Sequence, residues 1–433
     1  MKTFHVQNFG CRASQADGAA LEASLSEKGL TATGDLRNAG LVVLNTCTVT
    51  SSADQDVRRI IRQVKRENPE AKILVTGCYA QRSPGEIAGL EGVSWVVGNS
   101  HKGSIGDIVL ESPAPYHAEV HIGDIFSQSE FFSAPVEGPA GDRSRPNLKI
   151  QDGCNNRCSF CIIPSVRGKS RSADPEWVLA ETERLAKSGY PEIVLTGINL
   201  GRWGREWGGG RQLPDLLRRM LGETSIRTIR LSSVEPMDFT TELLELMAGS
   251  ERIAKHVHAP LQSGSDAVLR RMYRKYRPRH YEERLRLARD LMPDAAIGAD
   301  VMVGFPGETQ AEFQESVDFI ERMPLTYLHV FTYSERPGTK AVEIANPVPV
   351  ELRRERNRVL QEVSARKNRD FRRSLVGKRF SGVTISDLGV VITTNYVRVE
   401  LRQPRPRREW MEVELGAVSE RGMREASPLL VLG

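Results

Sequence analysis

The chain reads as an α/β protein in three parts: an N-terminal open parallel α/β domain, a central partial (β/α)6 barrel and a small C-terminal all-β barrel. Three observations predict this. Strand-like runs alternate with helical runs over the first hundred residues, and again from Pro146 to Phe331; such alternation implies parallel sheets with helices on their faces. A long charged helix is predicted from Glu351 to about Arg373, and beyond it polar and apolar residues alternate with no helix between the strands, the pattern of a small barrel. The length of 433 residues allows about three domains, with hydrophobic and charged fractions ordinary for a globular chain. The expected bounds are 1–112 for the first domain, 113–143 for a linker, 144–373 for the barrel and 374–433 for the β-module.

In the first domain the expected strands are Phe4–Phe9, Leu41–Asn45, Lys72–Thr76 and Trp95–Val97, with helices over Gly18–Lys28 and Ala53–Glu67. Residues 111–143 are rich in proline, glycine and small residues, as in Ser133–Gly141, which marks a connection; a short strand is expected near His117–His121. Six barrel strands follow: Leu148–Asp152, Glu192–Thr196, Thr228–Ser232, His256–Pro260, Ala299–Val303 and Tyr327–Phe331. Helices separate them, among them Pro175–Lys187, Leu213–Leu221, Tyr281–Met292 and Glu312–Arg322. Chemistry in such a barrel sits at the carboxyl ends of its strands.

The six cysteines fall into two sets of three. Cys154, Cys158 and Cys161 form one run with the spacing C-x3-C-x2-C, directly after the first barrel strand. Three thiolates can hold a four-iron cluster and leave one iron open, whereas a structural cluster takes four cysteines. Three disulfides would suit a short secreted chain, but Met1–Gly10 lacks a signal-peptide core. No run approaches the roughly 18 apolar residues of a membrane span, so a cytoplasmic protein is expected. Zinc prefers four ligands, often in C-x2-C pairs. Cys11, Cys47 and Cys78 each follow one of the first three strands. In open α/β sheets that edge is where ligands bind, so these three are expected to converge on a second cluster; the alternative is that Cys47 and Cys78 are small buried hydrophobes.

The net charge of +5 is unevenly spread. Arg270, Arg271, Arg274, Lys275, Arg277 and Arg279 form one basic block, and Arg402, Arg405, Arg407 and Arg408 another. Such blocks fit a polyanion, although each alone could be a solvated helix face or loop.

Phe160 within the cysteine run completes a segment that resembles the signature of the radical S-adenosylmethionine superfamily. There the open iron chelates S-adenosylmethionine, whose reductive cleavage gives a 5′-deoxyadenosyl radical. Three segments resemble its cofactor-holding parts: Leu195–Gly201 with Thr196, Gly197 and Asn199; Ser232–Pro236 with Ser233 and Glu235; and Gly304–Glu308 with Gly304 and Pro306. Each alone could be a plain turn after a strand. Over its full length the chain is similar to the methylthiotransferase family, whose C-terminal module is the TRAM domain. The resemblance implies two [4Fe-4S] clusters, an auxiliary one on Cys11, Cys47 and Cys78 and a radical-generating one on Cys154, Cys158 and Cys161, with no catalytic residue beyond them.

Pro260–Tyr276 and Thr394–Tyr396 look most like the MtaB branch. That branch implies a tRNA substrate, methylthiolated at C2 of N6-threonylcarbamoyladenosine at position 37, with a reducing electron donor and a monomeric enzyme. The alternatives are isopentenyladenosine at the same position (MiaB-type), an aspartate of a ribosomal protein (RimO-type), or a non-catalytic RNA-binding iron–sulfur protein. Arg270, Arg271, Arg274, Lys275, Arg277, Arg402 and Arg405 are the RNA-contact candidates. Two departures stand out: Ser14 where the family has asparagine, and a shortened stretch between Asp387 and Thr393. The eight histidines need no special role; His256 and His258 are expected to be packed or hydrogen-bonded.

Overall fold

The structure is a computed structural model and describes residues 2–111, 117–128, 131–133 and 144–427. The N-terminal sheet contains β1 (Thr3–Asn8), β2 (Thr31–Ala32), β3 (Leu41–Thr46), β4 (Lys72–Gly77), β5 (Val93–Val97) and β6 (Glu119–His121), in the order β2-β1-β3-β4-β5-β6 and parallel throughout. Every residue of β3 and β5 is buried, as expected of central strands covered on both faces. One face packs α1 (Arg12–Glu27) and α5 (Ile105–Glu111), through Leu21, Leu25 and Val109 against Phe4 and Trp95. The other packs α2 (Ser51–Glu67), α3 (Cys78–Arg82) and α4 (Pro84–Ala88). Helix α2 buries Val57, Ile61 and Val64 on one stripe, and its first turn is capped by the Thr50 hydroxyl, which accepts from the Ala53 amide.

Two features depart from expectation. Helix α1 starts at Arg12, six residues before Gly18, because its first turns bury polar groups (Ser14, Asp17) instead of an apolar stripe. The sheet also runs past residue 112: β6 pairs with β5, so part of the expected linker is a strand of this domain. Most of Ser133–Gly141 lies outside the described residues.

The barrel comprises β7 (Asn147–Asp152), β8 (Arg171–Ser172), β9 (Glu192–Gly197), β10 (Thr228–Leu231), β11 (His256–His258), β12 (Ala296–Val303) and β13 (Tyr327–Thr332). Two parallel sheets, β10-β9-β7 and β11-β12-β13, meet at the parallel bridge Ile229–Ile253. Strand β8, which has no signal of its own, is an antiparallel edge on β7. The covering helices are α6 (Ile163–Arg167), α7 (Pro175–Lys187), α8 (Leu213–Glu223), α9 (Thr241–Gly249), α10 (Asp266–Arg271), α11 (Pro278–Leu291) and α12 (Gln310–Arg322). All but α6 share one apolar core with the strands, running from Leu148 to Val363, whereas α6 packs Val166 beside Cys78.

Helix α13 (Val350–Ser374) lies along β13: Ser364 Oγ accepts from the Leu328 amide at 2.8 Å, and Asn357 donates to the Val330 carbonyl at 3.2 Å. The chain then closes a barrel of β14 (Arg379–Ser386), β15 (Val390–Thr393), β16 (Arg398–Glu400), β17 (Trp410–Ser419) and β18 (Gly422–Glu425), filled by Val391, Val399, Val413, Leu415 and Met423. The short stretch after Asp387 is a tight turn through Gly389, at φ +74°. Among the described residues, no helix is long and apolar enough to cross a membrane.

Candidate active site

Adjacent parallel strands bring sequence-distant residues side by side. Register pairs Asn8 with Asn45 and Thr46 with Gly77, so the carboxyl ends of β1, β3 and β4 lie together, and Cys11, Cys47 and Cys78 follow them. The approach is close enough to demand glycine: a Cβ on Gly10, at φ +92°, would lie 2.8 Å from Cys47 Sγ. Burial, with the neighbouring Cys78 and Cys11 sulfurs, pushes the Cys47 thiol up to about 12.

The other trio occupies the loop after β7. That loop leaves the strand through Gly153 (φ +68°), where a Cβ would meet the Lys169 carbonyl at 1.9 Å. Ser159 ties it down, donating its hydroxyl to Arg271 O at 2.7 Å while its carbonyl accepts from the Ala341 amide. Burial first, then Cys158, pushes the Cys161 thiol up to about 12.

Thiols so buried are poor free nucleophiles, but metal binding deprotonates them outright. The donors around them suit thiolate. Arg274 Nη1 lies 3.2 Å from Cys158 Sγ, Arg167 Nε 3.3 Å from Cys78 Sγ, the Asn156 amide 3.4 Å and Asn199 Nδ2 3.6 Å from Cys154 Sγ. Hydrogen bonds to sulfur of this kind tune iron–sulfur centres. Among the described residues, neither trio closes within 4.8 Å; around a single zinc, with Zn–S near 2.3 Å, sulfurs would stand about 3.8 Å apart.

Members of both trios, Cys11 and Cys47 of one and Cys161 of the other, line one cavity of about 660 Å³, while Cys158 lines a neighbouring cleft with Glu235 and Arg274. Its barrel wall is built by alternate residues of neighbouring strands: His256 and His258 on β11, Asp300 and Met302 on β12, His329 and Phe331 on β13. Asp300 Oδ1 accepts from His258 Nε2 at 3.0 Å and His329 Nδ1 at 3.3 Å. Burial alone would raise its carboxyl; these two bonds outweigh burial and hold it below the usual range. His256 is buried, bonded to the Tyr327 hydroxyl at 2.7 Å and stacked on Tyr396 at 4.1 Å. Burial, then Arg230, His258, Arg12 and Arg145, keep its imidazole neutral, with its pKa well below the ordinary value.

Of the cofactor candidates, Phe160, Thr196, Gly197 and Ser233 line the cavity, and Phe160 meets Phe305 edge-to-face at 6.4 Å. Asn199 instead turns to Cys154. Glu235 is engaged by Arg274 and is not in the cavity wall. Gly304 and Pro306 are also outside the wall: their turn is folded back on itself, the Gly304 amide donating to Glu308 Oε2 at 2.7 Å, with Arg353 against Gly304. Ser232 Oγ, Asn199 Oδ1 and His256 Nδ1 are buried with no hydrogen-bond partner among the described residues. Buried polar atoms are normally satisfied, so Ser232 and His256, which line the cavity, fit a polar ligand in it.

The basic blocks need correction. Arg274 is buried between Glu235, Cys158 and Tyr276, and Arg271 is paired with Glu312 at 2.8 Å; folding turns both inward, and neither is an open RNA contact. Arg270 and Arg277 share Asp266, and Arg405 reaches Glu409 at 3.4 Å. Lys275 and Arg402 stand exposed. Arg12, Asp300, His329 and Arg167 went unflagged in the sequence. The alternation His256-x-His258 was the available signal, since residues two apart in a strand share a face.

Residues 148–320 match the model of the Radical SAM superfamily, and residues 3–98 that of "Uncharacterized protein family UPF0004". The chain is 38% identical over 398 residues to the threonylcarbamoyladenosine tRNA methylthiotransferase MtaB of Aquifex aeolicus, covering 91% of this chain and 95% of that protein. The protein of the same name from Bacillus subtilis is 36% identical, with coverages of 92% and 90%. The tRNA-2-methylthio-N(6)-dimethylallyladenosine synthase of Syntrophobacter fumaroxidans is 35% identical, covering 83% of this chain and 80% of that one. Among solved structures, the radical S-adenosylmethionine methyltransferase TsrM of Kitasatospora setae matches with a TM-score of 0.59 over 78% of this chain and 77% of that one; at 16% identity the likeness is one of fold.

Proposed function

The chain belongs to the radical S-adenosylmethionine methylthiotransferase family, and from that premise we propose that it inserts a methylthio group at C2 of N6-threonylcarbamoyladenosine at position 37 of tRNA. The observation that carries the reading is one cavity lined by cysteines of both trios, Cys11 and Cys47 with Cys161. A chain of this family works with S-adenosylmethionine and a four-iron–four-sulfur cluster. Cys154, Cys158 and Cys161 would hold that cluster, and Cys11, Cys47 and Cys78 a second. When bound, these groups supply the radical and sulfur chemistry that an unactivated aromatic C–H requires, since C2 offers no acid–base handle.

The protein's own part is positional. Phe160, Thr196, Gly197 and Ser233 shape the side of the cavity where the methionine-derived cofactor would sit, and the orphaned Ser232 hydroxyl offers it a hydrogen bond. Phe331, Met302 and His256 wall the cavity, and Tyr327 and Tyr396 hold the His256 ring in place by stacking on it. Arg167 and Arg274 stabilise thiolate charge on Cys78 and Cys158. Exposed Lys275 and Arg402 are the basic groups left to meet the RNA backbone. Residues 144–373 would form the radical module and 374–433 the RNA-gripping one.

The test is a nucleoside digest of tRNA from cells with and without the gene, read by mass spectrometry. Loss of the 2-methylthio derivative with its threonylcarbamoyl precursor accumulating is expected. A deficit in the dimethylallyl series instead would move the substrate to that branch. An unchanged profile would end the tRNA reading. In the purified enzyme, Cys158→Ala should abolish S-adenosylmethionine cleavage, whereas Cys47→Ala should retain cleavage and lose methylthiolation.

A further inference from the structure

We propose that Arg12 is the specificity residue of this site, binding the free carboxylate of the substrate's threonyl group. The inference rests on the function proposed above. A threonylcarbamoyl group carries a carboxylate; a dimethylallyl group carries none. A site that separates them therefore needs a cation facing the substrate and not already spent on the protein's own acids.

The cavity wall holds one carboxylate and one arginine. Its single carboxylate, Asp300, is committed to His258 and His329. Arg12 is the one arginine in that wall. Its side chain makes one hydrogen bond, Nη2 to the Tyr396 hydroxyl at 3.4 Å, and no ion pair among the described residues. The arginines behind the wall differ: Arg167 is paired with Asp152 and Asp17, Arg274 with Glu235, and Arg336 with Asp54. A guanidinium has five donors in a planar fork that matches a carboxylate, so most of Arg12's capacity is unused.

Its surroundings favour an anion as well. Arg12 is the first residue of the 16-residue α1, whose first turn holds no acidic residue and whose cap residue, Cys11, does not cap a backbone amide with its side chain; the helix N-terminus adds positive potential at the same spot. The fork is also held in place. Tyr396 is stacked on His256 and lies under the buried Arg230 guanidinium at 5.4 Å, so its hydroxyl is a fixed anchor. The N-terminal domain supplies the cation, and the C-terminal module orients it.

The experiment measures equilibrium binding of an anticodon stem-loop to the cluster-loaded full chain. The stem-loop carries either N6-threonylcarbamoyladenosine or unmodified adenosine at position 37, and wild type is compared with Arg12→Gln and Arg12→Lys. Binding of S-adenosylmethionine, iron content and cluster spectra are recorded alongside. Losing a charge-assisted contact should weaken the modified RNA by about 10- to 100-fold and leave the unmodified RNA unchanged, with Arg12→Lys partly restored. S-adenosylmethionine affinity and iron content should hold. Equal binding of the modified RNA by wild type and Arg12→Gln would overturn the proposal. So would a loss confined to S-adenosylmethionine, which would assign the arginine to the cofactor's carboxylate, or a loss of iron, which would make it structural. If wild type shows no preference for the modified RNA and does not methylthiolate it, the functional reading itself fails and the proposal falls with it.

Discussion

Replacing Arg167 should unfasten the N-terminal domain from the barrel. Arg167 ends α6, just beyond the barrel cysteines, and is 2% exposed. It donates to Asp152 Oδ1 at 2.9 Å on its own side, and across the junction to Asp17 Oδ2 at 2.9 Å, Ser14 Oγ at 3.3 Å and Cys78 Sγ at 3.3 Å. The buried group also contains Lys102 and Lys149, so three cations face two carboxylates. Burial opposes the charge on Arg167, but Asp152 and the Cys78 sulfur more than offset it. Deleting one partner from a buried ion network costs about 3–5 kcal/mol, a large share of the roughly 5–15 kcal/mol by which domains are stable. In Arg167→Ala we expect that loss to appear locally, as faster amide exchange in α1 and α3 with the barrel core β9–β12 unchanged. Arg167→Lys keeps the charge but loses the fork and should fall between. Unchanged exchange in α1 and α3 would refute the idea that this residue joins the two bodies. The acid limb follows the same groups. Asp17 and Asp152 are held below the usual carboxylate range by their cations despite burial. Their contribution is present above the unfolded pKa near 4 and is lost as pH falls through the folded values.

Two further outcomes follow. His256 is buried neutral among Tyr327, Tyr396, His258, Arg230, Arg145 and Arg12. Only the unfolded chain therefore takes up its proton below about pH 6.5, so stability should decline as pH drops from 7 to 5; in His256→Asn, urea midpoints across that range should show a shallower slope. Arg274→Gln removes a cation 3.2 Å from Cys158 Sγ; the barrel cluster's reduction potential should become more negative in an EPR-monitored titration, and an unchanged potential would deny Arg274 any electrostatic role.

What the sequence disclosed and what it hid divide along one physical line. Runs such as Leu41–Asn45 and Glu192–Thr196 announce their strands because central parallel strands are apolar on both faces. The position of Cys11, Cys47 and Cys78 after successive strands made their convergence readable from topology. Strand β8 was hidden because two residues carry no period. The early start of α1 was hidden because its first turns bury Ser14 and Asp17, whose shared partner Arg167 lies 153 and 150 residues away. The basic block at 270–279 looked solvent-facing because it contains no acid of its own; Glu235 and Glu312 reach it only in the fold. Arg12 was overlooked for the converse reason: beside a cysteine it reads as spacing, and only the cavity gives it a direction.

The turn between β15 and β16 bears on how such a chain can change over generations. Arg230, rooted in the barrel and held by Glu192, donates to the Thr393 and Thr394 carbonyls at 3.0 and 3.2 Å, and Asn395 donates to the Asp294 carbonyl at 3.0 Å. Tyr396, at φ +64°, stands at the apex against His256. A crossover between related genes at the start of β14 would therefore not exchange a handle for another handle. It would graft a foreign tyrosine environment onto the cavity wall, and the hybrid would combine one parent's last module with the other's pocket. Lineages that reshuffle this last module should have to carry the turn's contacts on the barrel with it.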